Sequence, residues 1–410
     1  MNISDLLEAK LSRFIIATAL LFQGFGVHGA SPADQQTLAS ADIGFAFKLL
    51  KQIARAQPGG NVCISPYSAS SVVQMASTGA GGQTKLEMAQ VLGTTGMAPD
   101  ALLAGIRDVS RSLNSGSTSV VLAAANALWY RQGTPMKPEF VARSQEFFGA
   151  TVDALDFNDP RSVAIVNAWA KEKTRGRIPA IADGLIDPAT DLFLANAVYF
   201  KGKWEVPFEM KLTKDRVFHL RRGRERKLPM MEQTRRFAYR RGTGYQAVRL
   251  PYQGWSVAMY VFLPDDGSSP EKLLSILSGD TWQRVTEPGF NERQGTVVLP
   301  RLKLEYRVEL KEPLHALGMK AAFGKADFSG MSTRPLFISA VRQRTFVEVN
   351  EEGTEAAAVT GMPVPSMAIA MNPPKPFQMI VDRPFLFLIE DKQTRTILFM
   401  GVVFNPGGSS

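Results

Sequence analysis

The chain has three histidines. His28 lies in an N-terminal apolar segment, which leaves His219 and His315 as candidate bases. A hydrolytic triad needs a serine or cysteine nucleophile, a histidine to deprotonate it and a carboxylate to orient that histidine. Neither histidine stands near a Gly-x-Ser-x-Gly elbow or a comparable motif. His, Cys, Asp and Glu nowhere recur at the spacing that zinc or another transition metal needs. The single cysteine, Cys63, can form no intramolecular disulfide, and its apolar surroundings mark it as a small buried hydrophobe. Gly24-Phe25-Gly26-Val27-His28-Gly29 matches the dinucleotide-binding glycine pattern by letter, but it opens no strand-helix-strand unit. Gly79 to Gly82 lacks the lysine of a phosphate-cradling loop and reads as a helix end. With no catalytic constellation, no metal and no cofactor site, the chain reads as a non-enzyme.

Charge offers a different chemistry. Lys and Arg number 47 against 38 Asp and Glu, a formal net charge of +9. The excess gathers between Arg216 and Arg241, at Arg221, Arg222, Arg224, Arg226, Lys227, Arg235, Arg236, Arg240 and Arg241. Such a run suits a solvated sheet edge, where charge discourages edge-to-edge pairing. It also suits a docking patch for a polyanion such as a sulfated glycan or nucleic acid, with salt-sensitive affinity. Aromatic residues are sparse in the run, which argues against base stacking and a specific nucleic-acid partner.

The elements that must carry these residues follow from pattern. Hydrophobic residues make up 45% of the chain and charged residues 21%, enough to build a sizeable core. Length leaves one or two domains open. Lys10 and Arg13 precede the apolar stretch Phe14 to Phe22, and Gly29 and Ala30 follow, the layout of a secretory signal peptide over residues 1–30. The product is expected to be secreted, extracellular or periplasmic. Helical periodicity covers Ala41 to Gln57, Ser68 to Thr78, Thr84 to Leu92, Pro99 to Leu113, Lys137 to Phe147 and Pro160 to Lys173. Strand patterns cover Ser119 to Tyr130, Leu192 to Phe200, Gln246 to Leu250, Ser256 to Leu263, Gly295 to Leu304, Thr345 to Val349, Phe377 to Ile380, Phe385 to Glu390 and Thr396 to Phe404. Helices early and strands late make an α+β fold. Glu355 to Pro376 fits neither pattern, and an Ala- and Pro-rich loop of that length asks for a function.

Several segments, in order over nearly the whole mature chain, resemble the serpin family. They are Asn61-Val62-Cys63-Ile64-Ser65-Pro66-Tyr67-Ser68, Asn126-Ala127-Leu128-Trp129, Asn167-Ala168-Trp169 through Arg177-Ile178, and Leu194-Ala195-Asn196-Ala197-Val198-Tyr199-Phe200-Lys201-Gly202-Lys203-Trp204. Pro300-Arg301-Leu302-Lys303-Leu304-Glu305, Leu317-Gly318-Met319, Asp382-Arg383-Pro384-Phe385 and Phe399-Met400-Gly401 complete the set. The resemblance implies a single monomeric domain over residues 31–410. Helices would pack around a large central mixed sheet and two smaller sheets, with an exposed reactive-centre loop, residues 351–376, near the C-terminus. It also implies a sheet-opening region at Ser65, Ser68, Asn196, Trp204 and Gln343. Gln343 stands where many serpins carry a histidine; an amide both donates and accepts, so a bridge to Asn196 survives without pH sensitivity.

Glu351-Glu352-Gly353-Thr354-Glu355-Ala356-Ala357-Ala358 resembles the hinge of an inhibitory serpin. Gly353 permits a sharp change of backbone direction, and the small residues after it suit entry into a packed sheet, where large or charged groups would stall. The resemblance then implies a suicide substrate, cut once and inserted as a new strand to trap an elastase- or chymotrypsin-like serine protease. The family's spacing, counted from Glu351, implies a reactive bond between Met367 and Ala368, with Ser366, Ile369 and Met371 as the other candidates for the residue before the cut. Pro363 and Pro365 cannot donate to a strand ladder and would retard the last part of insertion. The alternative is a non-inhibitory serpin acting as a binding or carrier protein.

Overall fold

The computed structural model describes residues 29–114, 119–184, 186–286, 289–354 and 375–407. Its first helix, α1 (Pro32–Ala56), starts where the Ser31 side chain accepts from the Asp34 amide, with Pro32 pre-set for the first turn. There follow β1 (Val62–Ile64), α2 (Pro66–Ser77), α3 (Gly82–Leu92), α4 (Pro99–Asn114), β2 (Val120–Arg131), α5 (Pro138–Phe148), β3 (Thr151–Leu155), α6 (Arg161–Lys173) and β4 (Leu192–Lys203). The second half holds β5 (Lys214–His219), β6 (Glu225–Gly242), β7 (Tyr245–Pro251), β8 (Val257–Pro264), α7 (Pro270–Ile276), α8 (Gly279–Thr286), β9 (Asn291–Pro300) and β10 (Leu302–Glu309). It ends with α9 (Lys311–Leu317), β11 (Ile338–Val349), β12 (Gly353–Thr354), β13 (Phe377–Ile380), β14 (Phe385–Asp391) and β15 (Thr396–Val403). The fold is α+β, as the sequence pattern leads one to expect.

The central sheet runs β10-β11-β4-β2-β3, with β12 also paired to β4. Its middle seam is parallel: β11 matches β4 from Ile338 opposite Leu192 to Phe346 opposite Tyr199. The other strands form one nine-stranded sheet, because the 18-residue β6 pairs with β5, β9 and β7 in turn and fuses the two smaller sheets. Gly295 to Leu304, a single strand by pattern, divides at Arg301. The Arg301 amide turns to the Pro229 carbonyl at 3.0 Å, and β9 and β10 go to different sheets.

Two cores flank the central sheet. On the inner face, Phe200 meets Tyr252 and Phe399 at centroid distances of 5.1 and 6.0 Å and joins the sheet to the main core. On the outer face, α6 and the segment after it bury Trp169, Ile178 and Ile181 against Trp129, Ala195, Ala197, Tyr199 and Phe346. Trp129 and Trp169 cross edge to face at 5.1 Å. No helix among the described residues is long and apolar enough to cross a membrane.

The half-buried Asp42 carboxyl of α1 faces Ser70 and Gln74 of α2. Burial pushes Asp42 up from 3.8 to about 7, against an opposing hydrogen bond from Ser70. The folded state therefore retains this proton where the unfolded chain has lost it. Stability is fully present below the unfolded value and falls as pH rises to about 7, at up to roughly 1.4 kcal/mol per pH unit. Asp42→Asn should flatten that part of the profile, read as thermal midpoint between about pH 4 and pH 8. A slope identical to the parent's would refute the assignment.

Candidate functional site

The seam between β4 and β11 is held at its middle by side chains that leave no polar atom idle. Asn196 on β4 and Gln343 on β11 are directly paired, and both are fully buried. The Gln343 amide nitrogen donates to Asn196 Oδ1 at 2.8 Å and to the Ser65 carbonyl at 2.9 Å, while its oxygen accepts from the Ser65 amide at 3.0 Å. Asn196 Nδ2 donates to the Ser68 hydroxyl and to Asn126 Oδ1 on β2. Asn126 in turn donates to Ser71 at 2.9 Å. The N-terminal turn of α2 thus buttons together three strands of the central sheet. It lies there because Ser65 caps the helix, with Pro66 next, and both face inward. Four of the five residues expected in the sheet-opening region, Ser65, Ser68, Asn196 and Gln343, meet in this network.

The fifth, Trp204, sits at the end of the sheet where the seam is no longer closed. Beyond Tyr199 and Phe346, β4 and β11 share no register among the described residues. Into that wedge come Gly353 and Thr354, antiparallel to β4 and opposite Lys203 and Gly202. Thr354 is fully buried, its hydroxyl 3.0 Å from Tyr252 Oη. Tyr252 stacks on Trp204 at 4.5 Å, and the Trp204 indole donates to the Asn350 carbonyl at 2.9 Å. The Trp204 amide donates to the Glu352 carbonyl at 2.8 Å. Gly353 has φ +144°, and a Cβ there would collide with the Gly202 carbonyl and Lys203, so this seat requires glycine.

Glu351 anchors the seat. It is 3% exposed, and Arg301 grips it through two nitrogens: Nε at 2.9 Å and Nη2 at 2.6 Å from Oε1. Thr213 adds a third bond at 2.6 Å. Burial alone would raise the carboxyl's pKa, but these bonds prevail and hold it below the usual carboxylate range. Glu352 has a buried carboxylate oxygen without a partner among the described residues, a cost that opposes the seat. The hinge residues Glu351 to Thr354 are therefore packed in place rather than exposed. Glu355, Ala356, Ala357, Ala358 and the expected reactive bond Met367-Ala368 lie outside the described residues, as does the signal segment up to His28. Pattern reading missed Arg301, Thr213 and Tyr252 as partners of the hinge, since each is distant in sequence and the segment that carries Arg301 does not by itself reveal the ion pair.

The basic run does not form one patch. Arg221, Arg222, Arg224, Arg226 and Lys227 are exposed on and after the turn between β5 and β6. Arg235 and Arg236 lie roughly 26 to 30 Å beyond Lys227 along β6, opposite Gly295 and Gln294 of β9 and between the stretches of β6 that pair with β5 and with β7. Arg235 is spent internally, stacked on Phe237 at 4.1 Å and bonded to Gln233 at 2.7 Å. Among the described residues no three His, Cys, Asp or Glu converge to hold a metal ion. His219 lies exposed beside Glu225 at 3.3 Å.

The central sheet is splayed at one end, and the chain's own downstream segment is started into the gap. The chain belongs to the serpin family. The family described as Serpin (serine protease inhibitor) matches residues 40–406. The bovine (Bos taurus) leukocyte elastase inhibitor is 36% identical over 90% of this chain and 100% of its own length. Among solved structures, the native thermophilic serpin tengpin superposes with TM-score 0.83 at 27% identity, covering 92% of this chain and 96% of its own. Native protease nexin-1, solved with heparin, superposes with TM-score 0.81 at 30% identity, covering 91% and 100%.

Removing the anchor tests the seat. Arg301→Ala leaves the Glu351 carboxylate buried and unpaired, a loss of about 3–5 kcal/mol. The thermal midpoint should drop and limited proteolysis should open at 350–354. Glu351→Gln, which keeps an acceptor for Arg301 and Thr213, should lose far less. Equal midpoints for Arg301→Ala and the parent would show that the ion pair does not hold the hinge.

Proposed function

We propose that the protein is a secreted inhibitor of serine endopeptidases that acts as a suicide substrate. The observation that carries this reading is the antiparallel register of Gly353 and Thr354 on β4. Continued along β4, it would put Ala356 beside Phe200, Ala358 beside Val198 and Thr360 beside Asn196, all small side chains toward the inner core. Ala357, Val359 and Gly361 would meet Tyr199, Ala197 and Ala195 on the outer face. About a dozen residues entering in this way would add roughly ten main-chain hydrogen bonds, each about 1 kcal/mol net.

The chemistry is supplied by the target. Its serine hydroxyl attacks the Met367 carbonyl, the bond from that carbon to the Ala368 nitrogen breaks, the amine leaves with the C-terminal peptide, and an ester joins Met367 to the protease. Insertion then carries the ester along the sheet and distorts the protease, whose oxyanion hole can no longer support deacylation. A methionine before the cut suits the medium apolar pocket of an elastase- or chymotrypsin-like protease, and the name of the bovine relative points the same way. The signal pattern around Lys10, Arg13 and Phe14 to Phe22 supports secretion. The exposed Arg221 to Lys227 end of the basic run supports a polyanion as second partner.

Incubation with pancreatic elastase or chymotrypsin should give an adduct stable to boiling in detergent and a released peptide beginning at Ala368. Ala356→Arg, which forces a charge toward Phe200, should be cleaved at the same bond with little or no adduct. Complete cleavage of the parent protein without adduct would overturn trapping of these proteases and favour a binding or carrier role.

A further inference from the structure

A cleft of about 920 Å³ lies at the free edge of the central sheet, outside the seam and hinge. One wall is the turn after β5, with Arg221 and Arg224. The other is formed by Lys303 and Arg307 on β10 and Arg344 on β11. The turn at Gly59–Asn61 and the segment Phe404 to Gly407 close the floor. Arg226 borders it, within 3.4 Å of Asn405 Oδ1. The basic run thus supplies half of the site, and strands some eighty to 120 residues later supply the rest, which no sequence window could join.

Part of this charge is already compensated. Arg221 pairs with Glu271 at 3.2 Å, Arg307 with Asp183, and Glu305 stands near Lys303 and Arg344 at 3.7 and 4.0 Å. Arg222, Arg224 and Arg226 have no carboxylate partner among the described residues and are exposed. Arg222 sits at φ +60°, a left-handed conformation that arginine rarely adopts, at the tip of the turn. Cations on facing walls of a concave, low-dielectric site focus potential into it. Tyr306 and Phe404, the aromatic residues of the lining, are buried at 4% and 6% exposure, so no ring is offered for stacking a base.

Resting on the polyanion reading above, we infer that this cleft binds a single linear sulfated glycan chain between Arg224 on one wall and Lys303 on the other. A concave site fits one flexible chain lying between its walls, and the absence of an exposed ring in the lining disfavours unpaired bases. The Arg235–Arg236 end of the run takes no part.

Binding of a size-defined heparin oligosaccharide is measured by calorimetry across a salt series, using the mature protein, Arg224→Gln/Lys303→Gln and Arg235→Ser/Arg236→Ser, with thermal midpoints as folding controls. The cleft pair should weaken binding about tenfold or more at physiological salt and lower the slope of log affinity against log salt by about 1.4. The Arg235/Arg236 pair should bind within about twofold of the parent, as should be expected of residues off the path. Loss confined to the Arg235/Arg236 pair would overturn the cleft while leaving a polyanion partner standing. Absence of salt-dependent binding by the parent would remove both. An oligothymidine of equal charge that binds as tightly as the glycan would overturn the assigned ligand class.

Discussion

Everything distinctive about this molecule depends on one parallel seam. β4 and β11 run side by side from the pair Leu192 and Ile338 to Tyr199 and Phe346, and then part company. A parallel seam can admit one more strand antiparallel to both neighbours without reversing either. Both faces of the gap are already prepared, with Leu194, Val198 and Phe200 in the inner core and Ala195, Ala197 and Tyr199 in the outer one. In the proposed mechanism the sheet is a template with a site unfilled, and free energy is stored while a suitable strand is kept out of it.

Two devices set the height of the barrier to filling it. The button of Ser65, Ser68, Asn126, Asn196 and Gln343 must be rearranged before the seam can widen at its middle. Because each polar atom is buried, an intermediate with these bonds open would pay the cost of unsatisfied groups. The second device is the seat of the hinge. Arg301 and Thr213 hold Glu351, Trp204 and Tyr252 hold the backbone and Thr354, and two residues of the incoming strand are already in register. If the loop inserts as proposed, entry does not have to be nucleated, since the pairs Gly353 with Lys203 and Thr354 with Gly202 already exist.

The sequence was informative where chemistry is local. The helix end before Gly93 and the buried run of β4 read directly from pattern, whereas the helix expected from Ser68 begins two residues earlier, at Pro66 behind its Ser65 cap. What could not be read depends on tertiary neighbours. β6 escaped because its arginines and lysines mask a strand whose alternate residues Met231, Phe237 and Tyr239 are buried. The division of the segment around Pro300 between two sheets follows from a backbone bond to Pro229. Pattern places Glu351 in the hinge but does not show it as a buried anchor, because its partner Arg301 comes from 50 residues upstream. The basic run divided for the same reason: a long strand separates in space what is contiguous in sequence.

The central claim is that the uncut fold is less stable than the fold with its own loop taken into the seam. The most direct measurement is the thermal midpoint of the mature protein before and after one cut in the segment 355–374 by a protease that releases its product. A gain near 10 kcal/mol corresponds to a rise of roughly 12 °C for a domain of this size. A midpoint that rises by that order is the predicted result. An unchanged or lowered midpoint, with the cut verified by mass, would contradict the account.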